Sequence, residues 1–457
     1  MAQAFFGGVH PHDMKAATNE KAIEQLAPPA VVVIPMSMHF GAPCTPLVKA
    51  GDHVKVGQKI GEFHGLGAPI HASVSGTVKA VEPRPYSMGG NITSVVIEND
   101  MQDEVSEEVQ APADPNALSV EEMVEIVKNA GIVGMGGATF PTHVKITSGI
   151  GKVNTVIING AECEPYITGD HRTMLERPEE IIGGAKFLAK MFGVDKVVIG
   201  VEDNKRNGID AMNKVIAEQK APVVVEPLRC RYPQGGEKQL CQAITGKQVP
   251  PGGLPANIGC AVFNINTTCA IYRAITTGMP VVKKIVTVSG SGVVEPKNLE
   301  CPIGTPVSSL LDACGGLKDG TYKLIAGGPM MGMAQYTADI SVAKGTGAIL
   351  AFCENEEKTV ENPQCIRCGK CVSVCPMHLE PLFMYQYASK GMVEELNDAH
   401  IMDCMECGAC SYICPARMHL THMFKTGKQL VKDKAAADRA AAEAKKKAEE
   451  AKEAAAK

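Results

Sequence analysis

The sequence has no tryptophan, and only 4% of its 457 residues are aromatic. Its cores must therefore be built from valine, isoleucine, alanine and methionine. No apolar run approaches the ~20 residues a helix needs to cross a bilayer, so a soluble chain, or one peripheral to a membrane, is expected. The first residues lack a charged segment followed by an apolar one, which argues against a secretory leader. Lys and Arg (45) nearly balance Asp and Glu (50). Without a basic excess or stripe, nucleic acid is not an expected partner. The length points to several domains.

Cysteine, by contrast, is plentiful at 17 residues. Eight fall in two runs. One reads Cys365-Ile-Arg-Cys368-Gly-Lys-Cys371-Val-Ser-Val-Cys375-Pro376. The other reads Cys404-Met-Glu-Cys407-Gly-Ala-Cys410-Ser-Tyr-Ile-Cys414-Pro415. Both fit C-x2-C-x2-C-x3-C-P, the run of bacterial two-cluster ferredoxins, in which the fourth cysteine serves the other cluster. Two intervening residues let the backbone wrap one corner of a cubane. The remaining iron must be reached from elsewhere. The pattern therefore assigns Cys365, Cys368, Cys371 and Cys414 to one [4Fe-4S] cluster, and Cys375, Cys404, Cys407 and Cys410 to a second. Structural zinc also uses four thiolates, but typically from paired C-x2-C knuckles. The nine other cysteines are scattered and odd in number, which suits free thiols in a reducing compartment.

Taken in order, residues 1–34 form an N-terminal segment with no chemistry legible from spacing. Residues 35–100 alternate apolar and polar positions between turn residues, as in Gly51–Gly61 and Ile70–Val78, and read as a small β module. It resembles the hammerhead of lipoyl and biotinyl carrier domains, but the hairpin tip near His64–Ala68 carries no lysine to modify, so a docking role is expected. Residues 101–117 are acidic and proline-bearing and read as a linker. Ser119 and Glu122 form a capping box that opens a helix. The glycine-rich stretch Gly131–Lys145 follows. Buried strands are expected at Asn154–Asn159, Lys196–Val201 and Val223–Val225, with Glu162 and Glu164 just past the end of the first, where α/β sheets bind ligands. In residues 283–352, strands at Lys284–Ser289 and Val293–Val294 precede a helix with Thr305 as N-cap. The Gly327–Gly332 stretch reads as a tight loop packed on the preceding domain. Residues 426–457 are almost wholly Ala, Lys and Glu, strong helix formers without an apolar stripe.

Three motifs occur in the order of the NADH-binding flavoprotein subunit of respiratory complex I. They are Gly134-x-Gly136-Gly137-Ala-x-Phe140-Pro141-Thr142-x-x-Lys145, Asn159-x-x-Glu162-x-Glu164-Pro165 and Tyr232-x-x-Gly235-x-Glu237. The opening Gly-Gly-Val-His10-Pro11 and the two cysteine runs are not features of that flavoprotein. Together the motifs resemble the C subunits of Rnf electron transport complexes, which are membrane ferredoxin:NAD oxidoreductases. The resemblance extends to about residue 425. It implies a multidomain α+β and α/β chain: the hammerhead-type β module, a Rossmann-like FMN/NADH domain of the complex I flavoprotein type at 118–282, a β-grasp domain at 283–352, a helical bacterial-ferredoxin-type 2[4Fe-4S] domain at 360–425, and the helical tail.

The resemblance further implies FMN and NAD(H) as cofactor and substrate. Gly134, Gly136 and Gly137 would bring backbone N–H groups to the FMN phosphate. Lys145 would supply positive charge, Asn159 and Glu162 would hydrogen-bond FMN, and Asn264 would lie near its phosphate. Phe140 would stack on a ring of the nucleotide, and Glu164 and Glu237 would bind NADH, with Tyr232 and Gly235 completing the third motif. No side chain is assigned a catalytic acid or base role. Partners would be other subunits of a membrane complex and, indirectly, ferredoxin. The chain would sit peripherally on the cytoplasmic face, with H+ or Na+ movement left to those subunits. Three positions depart from the flavoprotein pattern: Met135 replaces an arginine, and Ala161 and Gly236 each replace an acidic residue. A soluble flavin and iron–sulfur cobalamin reductase, or a non-catalytic electron relay or scaffold, would share parts of the same pattern.

Overall fold

A computed structural model describes residues 5–354 and 360–455, with side chains to residue 448. Residues 1–4 of the N-terminal segment and the last two of the tail lie outside the described residues. The chain divides into two compact units. One runs from His10 through the sheet that ends at Cys353. The other joins Phe5–Val9 to the residues from Val360 onward.

The first unit begins with β1 (Glu24–Gln25) and a module of β2 (Val31–Pro35), β3 (Thr45–Pro46), β4 (His53–Val54), β5 (Lys59–Glu62), β6 (Ile70–His71), β7 (Gly76–Pro85) and β8 (Asn91–Asn99). Two sheets, β2-β8-β7-β4 and β3-β5-β6, pair antiparallel within themselves. Val32, Ile34, Ile60, Ile70, Val95 and Ile97 are fully buried. The alternation read from the sequence is thus the alternation of a barrel-sandwich interior.

The α/β domain follows with α1 (Val120–Asn129), α2 (Thr142–Gly149), β9 (Thr155–Gly160), α3 (Gly169–Glu176), α4 (Pro178–Phe192), β10 (Val197–Glu202), α5 (Arg206–Gln219), β11 (Val223–Leu228), α6 (Glu237–Thr245), β12 (Cys260–Asn264) and α7 (Ile265–Thr277). The expected capping box at Ser119 and Glu122 is present in both directions. The four strands are parallel in the order β11-β10-β9-β12. Val156, Ile157 and Ile158 are all fully buried, because helices cover both faces of a parallel sheet. At Gly184 on α4 a Cβ would lie 2.2 Å from the Thr268 carbonyl of α7, so glycine permits the close approach of these helices.

The last part of this unit comprises β13 (Lys283–Ser289), β14 (Lys297–Pro302), α8 (Val307–Ala313), β15 (Thr321–Ala326), β16 (Met333–Gln335) and β17 (Ala348–Cys353), with sheet order β1-β14-β13-β17-β15-β16. Two local expectations differ. Val293 makes only a single bridge to Leu317, and the second strand lies at Lys297–Pro302. Pro306 stands at the N-cap of α8, while the Thr305 hydroxyl donates back to the Pro302 carbonyl at 2.7 Å instead of capping the helix.

The second unit is helical: α9 (Lys370–Ser373), α10 (Pro381–Ser389), α11 (Val393–Asp398), α12 (Ala409–Ile413) and α13 (Leu420–Ala455). Phe424 and Val431 on α13 are buried, so the start of this helix belongs to the unit's core. The Gly8 N–H donates to the Val374 carbonyl at 2.8 Å, and Phe6 stacks on His378 at 4.4 Å between centroids.

Candidate functional site

Strand β9 has β10 on one side and β12 on the other. Chain progression therefore reverses between β9 and β12, and a crevice opens beyond their C-terminal ends. Asn159 lies at the end of β9, and Asn264 is the last residue of β12. From α2, Lys145 reaches the same region. Its ammonium donates to Glu237 Oε1 at 2.8 Å and to the Val262 carbonyl at 3.0 Å, and lies 5.7 Å from the centroid of the Phe263 ring.

The glycine loop is closed by a bridge between Val133 and Pro141. The Gly134 N–H donates to the Phe140 carbonyl at 2.9 Å, and the Met135 N–H to Thr267 Oγ1 at 2.9 Å. Both donors are spent inside the fold. The next three, on Gly136, Gly137 and Ala138, have no partner among the described residues. A Cβ on Gly136 would lie 2.8 Å from Asn264 Nδ2, whereas one on Gly137 would meet nothing within 4 Å. The loop thus presses on the end of β12 and opens beside it. Successive free N–H groups at such a position form an anion-binding concavity, and the residues fit a phosphate group.

The segment that follows β9 is acidic, with Glu162, Glu164 and Asp170. Glu162 has a φ of +47° and accepts from the Asp170 N–H at 2.6 Å through Oε1, while its Oε2 is buried without a hydrogen-bond partner. Burial pushes its carboxyl up to about 7, against the pull of Lys15. Asp170 in turn accepts from Asn264 Nδ2 at 2.7 Å and Asn266 Nδ2 at 2.5 Å. Glu164, also raised to about 7 by burial, accepts from the Met330 N–H at 3.0 Å, and the Tyr232 hydroxyl lies 3.5 Å from it. A Cβ on Gly328 would lie 2.3 Å from Glu164 Oε2. The Gly327–Gly332 loop therefore packs on this carboxylate, as expected from the sequence. Asn159 donates to the Gly235 carbonyl at 2.8 Å, and the Gly235 N–H lies 3.3 Å from Cys163 Sγ. Phe140 lies 6.0 Å from Phe40 of the β module.

The fold therefore pairs several predicted residues with one another: Gly136 with Asn264, Lys145 with Glu237, Asn159 with Gly235, and Tyr232 with Glu164. It also adds residues that no motif marked. Lys15 is buried, and its ammonium donates to the carbonyls of Glu162 and Glu164 at 3.0 Å each and to that of Ile167. It is 147 positions from Glu162, so no local pattern could reveal it. Asp170 and Thr267 were equally silent. A separate cavity of about 370 Å³, lined by Met135, Asn266, Cys269 and Lys284 among others, includes none of the twelve predicted cofactor contacts.

In the second unit the two cysteine wraps repeat each other. Arg367 and Glu406 both take positive φ, and their N–H groups lie 3.4 Å from Cys365 Sγ and Cys404 Sγ. Gly369 and Gly408 follow with φ of +73° and +77°. Cys365, Cys368, Cys371 and Cys414 line one cavity. Cys375, Cys404, Cys407 and Cys410 line another. Each cavity thus takes three thiols from one run and one from the other, a donor set suited to a cubane. Burial pushes the Cys404 thiol up to about 11 and Cys407 to about 12, so metal loading there must displace bound protons.

Four family models match the chain: the RnfC barrel sandwich hybrid domain over residues 3–102, the Nuo51 FMN-binding domain over 127–273, the SLBB domain over 285–334 and the 4Fe-4S dicluster domain over 357–415. The chain is 45% identical over 401 residues to the C subunit of the Na(+)-translocating ferredoxin:NAD(+) oxidoreductase complex of Acetobacterium woodii, covering 87% of this chain and 90% of that one. It belongs to the RnfC family of ion-translocating ferredoxin:NAD oxidoreductase subunits. The corresponding protein of the proton-translocating complex of Clostridium ljungdahlii is 43% identical, with 88% of each chain covered. That of an ion-translocating oxidoreductase complex of Rhodobacter capsulatus is 41% identical over 82% of this chain and 73% of that one. Among solved structures, an NAD+-reducing [NiFe]-hydrogenase in the H2-reduced state aligns with a TM-score of 0.51 at 18% identity, over 70% of this chain and 64% of that one. This last likeness bears on the fold alone. Membership of the RnfC family accounts for the order of the parts: barrel sandwich, FMN-binding domain, SLBB domain of β-grasp type, and dicluster domain.

Proposed function

We propose that this chain is the NADH-reactive, electron-wiring subunit of a membrane-associated ferredoxin:NAD oxidoreductase, with H+ or Na+ moved by its partner subunits. The observation that carries the reading is the row of free N–H groups at Gly136, Gly137 and Ala138, beside the β9/β12 crevice. A chain with this site and two four-thiol cavities has the parts for both two-electron and one-electron chemistry. Among the described residues no helix is long and apolar enough to cross a membrane. Peripheral attachment at the cytoplasmic face, through other subunits, is consistent with that.

FMN, when bound, supplies hydride exchange with the nicotinamide and one-electron exchange with the iron–sulfur clusters. The chain's own residues position and tune. Gly136–Ala138 present donors to the flavin phosphate, and Gly134 closes the loop that aims them. Lys145, held by Glu237, adds positive charge. Asn159 and Glu162 would hydrogen-bond the flavin, and Asn264 fixes the loop through Gly136. Glu164, Tyr232 and Glu237 bind the nicotinamide nucleotide, with Phe140 as an apolar plate. Gly235 keeps the third motif close to Asn159. Hydride transfer needs no side-chain acid or base, so none is assigned. The eight run cysteines hold two [4Fe-4S] clusters.

The experiment is an anaerobic NADH titration of the cluster-loaded, FMN-supplemented chain, followed by optical and low-temperature EPR spectra. Flavin bleaching with growth of a cubane signal supports the reading. If dithionite reduces two cubanes and NADH reduces nothing at any flavin concentration, the chain is a relay. The altered positions Met135, Ala161 and Gly236 would then have removed nucleotide binding.

A further inference from the structure

The two cysteine wraps share a spacing and a backbone conformation, yet the fold treats them oppositely. In the first, Cys365 and Cys368 are exposed, and so is every residue from Gln364 to Lys370. Ile366, between the two cysteines, stands 67% exposed. In the second, Cys407 and Cys410 are buried, and so is Cys375, which joins them. The start of α13 covers that wrap: Lys428 is within hydrogen-bond reach of Glu406 Oε1 at 2.8 Å and also donates to the Cys404 carbonyl. The charges differ in the same sense. Arg367 occupies the position that Glu406 holds in the second wrap, with the same positive φ and the same N–H contact to a cysteine sulfur. Lys370 stands where the second wrap has Ala409. The first wrap carries two cations and no anion, while the second carries an anion that is already neutralised.

We infer that the Cys365 wrap is the port through which electrons cross to a partner protein, and that this partner is a one-electron carrier presenting an acidic face around an apolar centre. This rests on the function proposed above and adds which cluster faces outward and what meets it. The exposed sulfurs set the shortest route between this unit and another carrier. Ile366 supplies an apolar contact at the centre, and Arg367 and Lys370 supply positive charge around it. Opposite charge at such a rim governs encounter rate and orientation more than affinity. The transfer moves one electron: one carrier is oxidised, the other is reduced, and no bond is made. The cluster of the second wrap is shielded on the α13 side.

The test compares the isolated cluster-loaded chain with the assembled membrane complex. Dithionite reduces the cubanes, and a neutral dysprosium chelate reports how closely each can be approached by its effect on EPR relaxation. Cys365→Ser identifies the signal of the first site. That signal should relax severalfold faster than the other in the isolated chain and lose the difference in the assembled complex. If it stays equally accessible after assembly, the inference is overturned. In a second arm, the double variant Arg367→Glu/Lys370→Glu should slow ferredoxin-driven NAD+ reduction by the complex about tenfold or more. Both cubane signals and NADH oxidation by a neutral naphthoquinone should stay unchanged. A wild-type rate with the complex also overturns the inference. Failure of the NADH reading looks different: NADH then reduces neither cubane, while the relaxation result with dithionite still stands.

Discussion

The Lys15 ammonium lies 3.8 Å from Glu162 Oε2, and both side chains are nearly sealed from solvent. The same ammonium holds three carbonyls of the turn that follows β9. Burial lowers its affinity for a proton, and Glu162 opposes that. Replacing it with Lys15→Met leaves those carbonyls without their donor and the buried Glu162 carboxyl without its countercharge. The expected loss is about 3 kcal/mol of stability, read by denaturant unfolding of the flavin-free chain. FMN affinity should fall with it, because the turn carries both Glu162 and Glu164.

Two neighbouring glycines should behave differently. Gly136→Ala drives a Cβ into Asn264, so it should disturb the loop and weaken FMN binding at least tenfold, about 1.4 kcal/mol. Gly137→Ala meets open space in the chain itself. Its thermal midpoint should be that of the wild type, while FMN titration shows weaker binding. Unchanged FMN affinity in Gly137→Ala would mean that the phosphate does not enter this loop.

The nucleotide side can be probed through Gly328. A methyl group there would meet the Glu164 carboxylate and push it off the Met330 N–H. The KM for NADH should rise severalfold in Gly328→Ala, with FMN content unaltered. Equal loss of both would place Glu164 in flavin binding instead.

Cross-ligation between the runs gives a spectroscopic prediction. Cys414→Ser should alter the cluster held by Cys365, Cys368 and Cys371, and Cys375→Ser the one held by Cys404, Cys407 and Cys410. EPR of singly substituted chains, compared with Cys365→Ser and Cys404→Ser, checks the pairing. If Cys414→Ser matches Cys404→Ser, each run closes its own cluster.

Glu162 and Glu164 are both raised to about 7 from an ordinary value of 4.5. Between those values the folded chain holds protons that the unfolded chain releases. Their contribution to stability is therefore complete below about pH 4.5 and is lost as pH rises through 7. The slope is at most about 1.4 kcal/mol per pH unit for each group. Thermal unfolding of the flavin-free chain from pH 6 to 8 should show the midpoint falling and then levelling. Glu162→Gln should remove about half of that fall, which the difference from wild type isolates from histidine titration.

Much of this architecture is written locally. The cysteine spacing needs only a few residues to specify a cubane corner, and the capping box at Ser119 and Glu122 is complete within four positions. Buried parallel strands announce themselves as unbroken runs such as Val156–Ile158, and the motifs from Gly134 to Glu237 keep a recognisable order. Local chemistry misled at Thr305, where a nearby carbonyl competed for the hydroxyl, and at Val293, where a single bridge replaced a strand.

What tertiary structure decided is how distant residues complete one another. Strand order placed the end of β12 beside that of β9, and so brought Asn264 against Gly136. Chain path carried Lys15 into a turn 147 residues away, where desolvation gives a single ammonium control over three carbonyls. Packing of α13 buried one cysteine wrap and left its twin open, although both share the same spacing. Spacing fixes which atoms can reach a common centre, because that depends on a short stretch of backbone. Burial, charge balance and access depend on what the rest of the chain lays over it, and only the assembled fold sets those.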